Sequence, residues 1–406
     1  MEWKEVRLGD IADVQTGPFG SQLHKSDYIA EGIPCIMPTN IGPHLNFIVD
    51  GIAHVSEVDA NRLSRHLTEI GDIIYARRGD IEKCAYVTTN EEKWLCGTGC
   101  LKIRCNNEVN SRFIAYLLST AECKKWITGN AVGTTMLNLS KGILSNLPLL
   151  VPSHEDQRRI ASILSSLDRK IELNNKINAD LEEMAQAIFK NWFVDFEPFK
   201  DGKFVDSELG KIPEGWKVGR LTDVIKLMPG GTPKTSEPLY WDNGTIPFFS
   251  PKDVNGVYCF ATEKHITETG LNKCSSNLYP KDTIFITCRG TVGKVCLAAC
   301  DMAMNQSNYA IKAIDGYSQY YIFFLVKSVV ERLIKKSNGA VFSAITSKDF
   351  DEEILIPSQK AVEDFTNVID GFFRRIFTIG TENSRLSTLR DTLLPRLMSG
   401  EIEVPE

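Results

Sequence analysis

The sequence predicts an α+β protein in which two tandem copies of one mixed α/β domain alternate with two long helices. Three observations support this fold class. The second half of the chain repeats the pattern of the first, short β-rich runs in each half precede a helical segment, and an apolar repeat of three and four residues follows. We expect the two long helices to pack on each other as an antiparallel coiled coil.

The repeat shows as a slowly changing spacing between matching residues. Trp3 matches Trp216 at an offset of 213, and the offset has fallen to 205 where Pro152 matches Pro357. The two copies therefore differ in length by 213 − 205 = 8 residues, which are lost from their middles. A period of this length is the size of a whole domain, so the pattern indicates a tandem domain duplication.

Each copy begins with short β-rich runs separated by turn residues. The runs "DIIYA" and "LKIR" of the first copy match "DTIFIT" and "YAIKA" of the second. One helical segment follows in each copy, first "FIAYLLSTAECKKWI" and then "QYYIFFLVKSVVERLIKK". Strands combined with one packed helix are typical of an α+β domain.

A long amphipathic helix is predicted after each copy. The first begins at a capping box formed by Ser153 and Asp156, and apolar residues then recur at intervals of three and four. The same register returns in the second helix, where only Arg390 interrupts it, and an asparagine in each seam would fix the pairing register. The predicted seam residues are Ile160, Leu164, Leu167, Ile171, Asn178, Leu181, Ile188, Phe365, Ile369, Phe372, Ile376, Asn383, Leu386 and Leu393.

The second helix needs packing partners, because Gly371 and Gly380 weaken it by about 1 kcal/mol each relative to alanine. Gly400 supplies its C-cap. The alternative to a coiled coil is that each helix covers the core of its own domain. The predicted segments are a first domain (1–153), a central helix (154–194), a linker (195–215), a second domain (216–357) and a C-terminal helix (358–400).

Composition and charge indicate an ordinary globular protein. The formal net charge of −6 argues against nonspecific coating of polyanions, although a local basic patch could still bind DNA. The 11 cysteines lack CxxC spacing, and the tightest group, Cys96, Cys100 and Cys105, lacks a fourth ligand, so we expect neither disulfides nor a zinc site. We find no leader and no membrane-spanning run, and therefore expect a cytoplasmic protein with no membrane partner.

Motifs for catalysis are missing or incomplete. The stretch "GTVGK", ending at Lys294, is two residues short of a P-loop, and the cofactor loop of a methyltransferase is not recognisable. Asp80 with Glu91 and Lys93 loosely fits a metal-dependent nuclease, but the second copy has no counterpart. We expect a non-catalytic chain with no catalytic residue, no metal and no cofactor of its own, and keep a self-contained nuclease as an alternative.

Residues suited to DNA binding occupy matching places in both copies. The turns "ARRGDIEK" and "CRGTVGK" follow corresponding strands, and their Arg and Lys suit phosphate contact or bidentate reading of guanine. The opening loops, "QTGPFGSQLHKSDY" and "MPGGTPKTSEPLYW", add Ser, Thr and Lys to flexible glycines. For any single residue, a solvated turn is the alternative. The predicted DNA-binding residues are Ser21, Lys25, Arg77, Arg78, Lys83, Thr232, Lys234, Thr235, Arg289 and Lys294.

These features together resemble the specificity (S) subunit of type I restriction-modification enzymes. The resemblance covers the full length and rests on the tandem layout, the "EGW" that opens the second copy, the "RGTVGK" turn and the "PSHEDQRRI" approach to the first long helix. The second approach, "PSQKAVEDF", departs from the family pattern because the glutamate is missing.

The resemblance implies two target recognition domains, each reading one half of an asymmetric bipartite site in double-stranded DNA. It implies helices that dock type I methyltransferase (modification) subunits carrying S-adenosylmethionine, and a restriction subunit that brings ATP and Mg²⁺. A seam of about 30 residues would span roughly 45 Å, more than one turn of DNA, and would set the gap between half-sites. A specificity subunit of another restriction system and a protein-binding scaffold remain alternatives.

Overall fold

The computed structural model describes residues 2–133, 137–314, 316–336 and 344–404. The chain divides into two compact units. The first unit comprises Met1–Lys170 and Leu386–Glu406, and the second comprises Ile171–Arg385. Each unit therefore contains one domain together with parts of both long helices.

The elements of the first domain are short. Its strands are β1 (Lys4–Arg7), β2 (Ala12–Thr16), β3 (Tyr28–Ile29), β4 (Ile33–Ile36), β5 (Ala53–Val55), β6 (Ile73–Ala76), β7 (Cys84–Tyr86), β8 (Leu95–Cys96), β9 (Cys100–Cys105) and β10 (Pro148–Val151). Its helices are α1 (Leu8–Ile11), α2 (Glu57–Arg62), α3 (Ser111–Leu118), α4 (Ala121–Asn130) and α5 (Lys141–Ser145). The segment predicted as one helix is thus two, because Thr120 takes an extended conformation and caps α4 by accepting from the Cys123 N–H.

The first domain is held by two four-stranded sheets with the strand orders β2-β9-β6-β7 and β3-β5-β4-β8. Both faces of β6 are covered, since all four of its residues are buried, and its Ile73 and Tyr75 share a core with Phe113 of α3. The chain ends of the domain meet where β1 pairs antiparallel with β10, with Lys4 opposite Val151. The first long helix begins directly after this pair.

That helix, α6, runs from His154 to Phe193. Only half of its predicted capping box forms: the Asp156 N–H donates to Ser153 Oγ at 3.2 Å, but the Asp156 carboxylate accepts from the Ser153 hydroxyl at 2.8 Å and not from the Ser153 backbone. The predicted linker that follows contains a hairpin of β11 (Phe204–Ser207) and β12 (Gly210–Pro213). Ile212 of this hairpin is buried in the core of the second unit. The segment therefore has more structure than its turn-rich composition indicates.

The strands of the second domain largely follow the order of those in the first. Its strands are β13 (Lys217–Arg220), β14 (Ile225–Pro229), β15 (Ile246–Phe249), β16 (Tyr258–Cys259), β17 (Lys264–Ile266), β18 (Ile284–Thr287), β19 (Val295–Ala298), β20 (Ala303–Met304), β21 (Asn308–Ala313) and β22 (Glu353–Ile356). Its helices are α7 (Glu268–Asn272) and α8 (Gln319–Lys336), and the second long helix is α9 (Gln359–Met398).

The duplication is confirmed by sheet topology. The larger sheet has the order β14-β21-β18-β19-β16, and its first four strands follow the order of the counterparts β2-β9-β6-β7. The strand β13 pairs with β22, just as β1 pairs with β10, with Lys217 opposite Ile356. Each long helix thus starts from the same strand pair, and the α+β class with two tandem domains is confirmed.

Within each unit the two long helices pack antiparallel. In the first unit, Ile160 and Leu164 of α6 share a core with Leu397 and Met398 of α9. In the second unit, Asn174 of α6 donates to Asn383 of α9 at 2.8 Å, and the rings of Phe189 and Phe365 lie 5.9 Å apart. Rising residue numbers in α6 therefore meet falling numbers in α9, as the coiled-coil prediction requires.

The first turns of each long helix also pack on the core of the domain before it. The alternative interpretation, in which each helix covers its own domain, is therefore correct for these first turns. Ile160 lies against the first domain's core, and Phe365 lies against that of the second. Of the predicted seam, Ile160, Leu164, Phe365, Ile369 and Ile376 are buried. The remaining predicted seam positions are half-buried.

The polar contacts of the seam differ in detail from the prediction. The hydrogen bond to Asn383 comes from Asn174, whereas Asn178 Oδ1 is buried and lacks a hydrogen-bond partner among the described residues. Arg390, which interrupts the apolar pattern, is itself only 5% exposed and pairs with Asp168 at 3.2 Å. A buried ion pair therefore replaces an apolar contact at that level of the first unit.

Candidate nucleic-acid interface

Three segments of the first domain converge on Arg77, which directly follows β6. Its N–H donates to Gly99 O at 2.8 Å, which ties it to the residue before β9. Its carbonyl accepts from Leu139 N–H at 2.9 Å, which ties it to the loop before α5. Arg78 continues this contact through an antiparallel bridge with Asn138. The backbone at this turn is therefore fixed from both sides.

The second domain contains the same arrangement of hydrogen bonds. Cys288 N–H donates to Ser307 O at 2.9 Å, and Cys288 O accepts from Ile345 N–H at 3.0 Å. Arg289 then forms an antiparallel bridge with Ala344. The shared hydrogen bonds make Cys288 the counterpart of Arg77, and Arg289 the counterpart of Arg78.

Both turns depend on a glycine and return to a matching lysine. Gly79 and Gly290 have φ of 77° and 81°, which disfavour residues with a Cβ. On the returning strand, Lys83 O accepts from Ala76 N–H and Lys294 O accepts from Thr287 N–H, both at 2.9 Å. The structure therefore places Lys83 and Lys294 at equivalent positions, as the sequence predicts.

The Arg77 side chain is partly buried and lacks partners for two of its nitrogens. Its Nε and Nη1 atoms have no hydrogen-bond partner among the described residues. The guanidinium carbon lies 5.3 Å from the ring centre of Phe19, a residue of the opening loop that is 48% exposed. Burial lowers the pKa of Arg77, and the nearby charge of Arg78 lowers it further. Unsatisfied donors on a held cation suit an acceptor supplied by a ligand.

A glycine in each opening loop packs closely against the backbone of the same domain. A Cβ on Gly17 would lie 1.9 Å from Gly97 O, and one on Gly230 would lie 2.0 Å from Asn305 O. Only glycine allows this approach, and it occurs at the same place in both domains. The residues two positions further along, Phe19 and Thr232, are therefore counterparts.

Most of the other predicted DNA-binding residues of the opening loops are accessible. Ser21 and Lys25 of the first domain and Lys234 and Thr235 of the second are exposed. Thr232 is half-buried, and its hydroxyl donates to Oε1 of Gln306.

The structure shows further polar residues at these sites that sequence reasoning missed. They are Asn138, whose Oδ1 is buried without a hydrogen-bond partner among the described residues, and the exposed Gln306. Phe19 was missed as well. The sequence did contain a sign of it: the offset of 213 between the two copies matches Phe19 to Thr232, which was predicted to bind DNA.

The charges of the turns are largely unpaired. No ion pair recorded for the described part of the chain involves Arg78 or Arg289, and both are exposed. Lys83 pairs with Asp80 at 3.2 Å, but both side chains are about half exposed, so a phosphate could displace this weak pair. A protein with a negative net charge thus presents exposed cations at one matching turn of each domain.

Comparison with known proteins identifies the family. The model of the type I restriction modification DNA specificity domain matches residues 1–183 and again residues 213–374. The chain belongs to this family of DNA specificity subunits.

Relatives among the type I specificity subunits extend over the whole chain. The type I restriction enzyme MjaIX specificity subunit of Methanocaldococcus jannaschii is 28% identical, over 100% of this chain and 94% of its own. The HindI specificity subunit of Haemophilus influenzae is also 28% identical, over 99% of this chain and 100% of its own. The S subunit of a type I system from M. genitalium has a similar fold, with a TM-score of 0.59, 15% identity and coverage of 98% and 96% of the two chains.

The two carboxylates of the alternative nuclease site have local structural roles. The Glu91 carboxylate accepts from the Thr88 N–H at 3.0 Å and from its hydroxyl, so it caps a turn. Asp80 pairs with Lys83. Within the described ranges, no cluster of three or more His, Cys, Asp or Glu side chains is placed to hold a metal ion.

The cysteines are free thiols, and most of them are buried. Burial raises the pKa of Cys96 to about 12 and also raises that of Cys100. These thiols are therefore protonated near neutral pH and poorly reactive in the metal-free chain. None of the described helices is long and apolar enough to span a membrane.

Proposed function

We propose that the two loop clusters around Arg77 and Cys288 are the DNA-contacting sites of the two target recognition domains. Each would read one half of an asymmetric bipartite site. The observation that carries this proposal is the repeated turn, in which identical hydrogen bonds present Arg78 and Arg289 as exposed cations. Such cations position a protein on the phosphate backbone, while neighbouring side chains reach base edges.

We further propose that the chain is not catalytic and acts through partners. The exposed faces of α6 and α9 would dock modification subunits, which would carry S-adenosylmethionine, and a restriction subunit would bring ATP and Mg²⁺. The family supports these partners, and Leu173 and Met184 of α6, 54% and 53% exposed, are apolar side chains available for a protein contact.

Domain exchange tests the assignment of half-sites. Residues 216–357 of the full chain are replaced by the equivalent domain of a relative, and the complex with modification subunits methylates a plasmid library. Sequencing of methylated adenines should show one half of the site changed and the other half retained. A change in both halves would contradict independent reading by the two domains.

Heptad insertion tests the proposal that the helix pair sets the gap. One heptad is added to α6 and one to α9, so that the seam register is kept. The methylated site should then have a longer gap and unchanged half-sites. An unchanged gap would mean that the helices do not act as the spacer.

Incubation of the purified chain with DNA and Mg²⁺ tests the absence of catalysis. No cleavage is expected from the wild-type chain. Cleavage that disappears in an Asp80→Asn variant would establish the nuclease instead.

A further inference from the structure

The duplication provides a comparison within one molecule that separates two kinds of DNA contact. Every DNA sequence has the same phosphate backbone, so residues that hold the backbone can be the same in both domains. Residues that read bases must differ if the half-sites differ. The hydrogen bonds shared by the two clusters fix which positions to compare.

Two positions carry the same charge in both domains. They are the arginine before the turn glycine, Arg78 and Arg289, and the lysine on the returning strand, Lys83 and Lys294. All four are exposed. We name these four residues the turn cations, and their shared placement suits contact with phosphate.

Three positions differ in chemistry. Arg77 corresponds to the buried Cys288, and Phe19 corresponds to Thr232. The third pair is Thr98 with Gln306, because the residues that follow them, Gly99 and Ser307, accept the matching hydrogen bonds. These positions lie together, since Arg77 contacts Phe19 in one domain and Gln306 contacts Thr232 in the other.

In the first domain this site offers a preorganised guanidinium. The backbone of Arg77 is hydrogen-bonded on both sides, and its side chain lies against the Phe19 ring at 5.3 Å. Its Nε and Nη1 are shielded from solvent and lack hydrogen-bond partners among the described residues, so the base must approach closely enough to replace what shields them. Arginine donors match the O6 and N7 acceptors of guanine in the major groove, and a held fork loses little entropy on binding.

In the second domain the equivalent site offers an amide. Gln306 is exposed, and the Thr232 hydroxyl donates to its Oε1 and so fixes its orientation. An amide oxygen has a second lone pair, and the amide nitrogen is a donor. This combination matches the N6 donor and N7 acceptor of adenine.

We infer that Arg77, held against Phe19, reads a guanine in one half-site and that Gln306, held by Thr232, reads an adenine in the other, while the turn cations contact phosphates. This inference rests on the proposed function, because it assumes that each cluster contacts DNA. It adds which base each cluster reads, and it states which neighbouring residues contact bases and which contact phosphates.

The test uses the complex of the full chain with modification subunits and S-adenosylmethionine, acting on a library with randomised half-sites. Arg77→Lys keeps the charge but removes the fork, and it should lower the preference for guanine at one position by about 10- to 100-fold. The neighbouring Arg78→Ala is the matched control. It should lower methylation of all sequences alike and make it less sensitive to salt, with the preferred site unchanged.

A second pair of variants applies the same logic to the second domain. Gln306→Ala should relax an adenine preference at one position of the other half-site, and Arg289→Ala should weaken methylation uniformly. In each variant the undisturbed half-site serves as the folding control, because a misfolded chain would lose both. Wild-type methylation of a bipartite site without any guanine in the first domain's half would overturn the inference.

Other outcomes also decide between the explanations. If Arg77→Lys lowers methylation of all sequences equally, Arg77 contacts phosphate and the inference is wrong, although the proposed function stands. If the wild-type complex neither binds nor methylates a bipartite site, the proposed function itself fails, and that result is distinct from an unchanged base preference in the variants.

Discussion

The two glycines of α9 predict opposite effects for the same substitution. A Cβ on Gly371 meets no atom within 4 Å, whereas a Cβ on Gly380 would lie 2.1 Å and 2.3 Å from two ring carbons of Phe260. Both positions are inside the helix, so alanine removes the same backbone entropy cost at each. The difference between the two variants therefore reports the packing against Phe260 alone.

The magnitude follows from the structure. Gly371→Ala should stabilise the second unit by about 1 kcal/mol, the difference between alanine and glycine in a helix. At Gly380 the Phe260 ring must move by more than an ångström. Neighbouring rings restrict this movement, because the ring centre of Phe260 lies 5.9 Å from that of Tyr258 and 5.5 Å from that of Phe377. Such overpacking costs about 1–3 kcal/mol. We expect Gly380→Ala to be less stable than Gly371→Ala by this amount.

Hydrogen–deuterium exchange on the full-length chain measures the effect locally, which matters because a two-domain protein need not unfold in one step. Peptides from α9 should gain protection in Gly371→Ala. Peptides around Phe260 should lose protection in Gly380→Ala, and a Gly380→Ala, Phe260→Ala double variant should recover the helix. Equal shifts of the same sign in both single variants would refute the reasoning.

Three other predictions concern the first unit. Deleting residues 386–406 should lower hydrogen-exchange protection in residues 154–170 and leave the second unit protected, because only the first core takes side chains from this segment. Asp168→Ala should destabilise the unit by about 2–4 kcal/mol in urea unfolding, because it leaves the buried Arg390 with only the exposed Asp391 as an ion-pair partner and the exposed His44 as a hydrogen-bond partner, whereas Asp391→Ala should cost less than about 1 kcal/mol. Burial, followed by the charges of Arg65 and Lys102, lowers the pKa of His66 to about 4. Because the unfolded chain then binds the proton more readily, the contribution of neutral His66 to the free energy of unfolding should be complete above about pH 6.5. It should fall by up to about 3 kcal/mol as the pH drops towards 4. His66→Gln should remove this dependence in thermal unfolding, and an unchanged pH profile would refute it.

Features that depend on neighbouring or regularly spaced residues could be predicted from the sequence. The offset between Trp3 and Trp216 predicted the duplicated domains, and the Ser153 capping box together with the seam predicted the start and course of α6. These features are predictable because a helix period and a repeat are properties of neighbouring or equally spaced residues. The positive φ of 75° at Gly400 follows from the same kind of local rule.

Features that depend on distant partners could not be predicted. In the sequence Arg390 interrupts the apolar seam without an evident reason. In the structure its guanidinium lies 3.2 Å from the carboxylate of Asp168, which is far away in the chain. Asn174 and Asn178 both fall on the three-and-four spacing, and the sequence could not show that the buried Asn174 is the one that reaches Asn383, because that choice depends on how the two helices meet. The contact of Phe19 with Arg77 likewise requires that the opening loop return to the end of β6.

The composition of the units limits how freely the second domain can be exchanged. The first unit takes no residue from 216–357, so its core is complete whichever second domain is present. The second unit is different, since Phe193 of α6 packs against Trp216 and Tyr321 with ring centres 5.8 Å and 4.9 Å apart, and Glu182 accepts from Lys327 at 2.6 Å. An incoming domain that lacks counterparts of these side chains would leave aromatic surface of α6 exposed. Exchange should therefore succeed with domains that retain this aromatic contact, and a failed exchange should be recoverable by restoring the aromatic residues without altering the loop cluster that reads DNA.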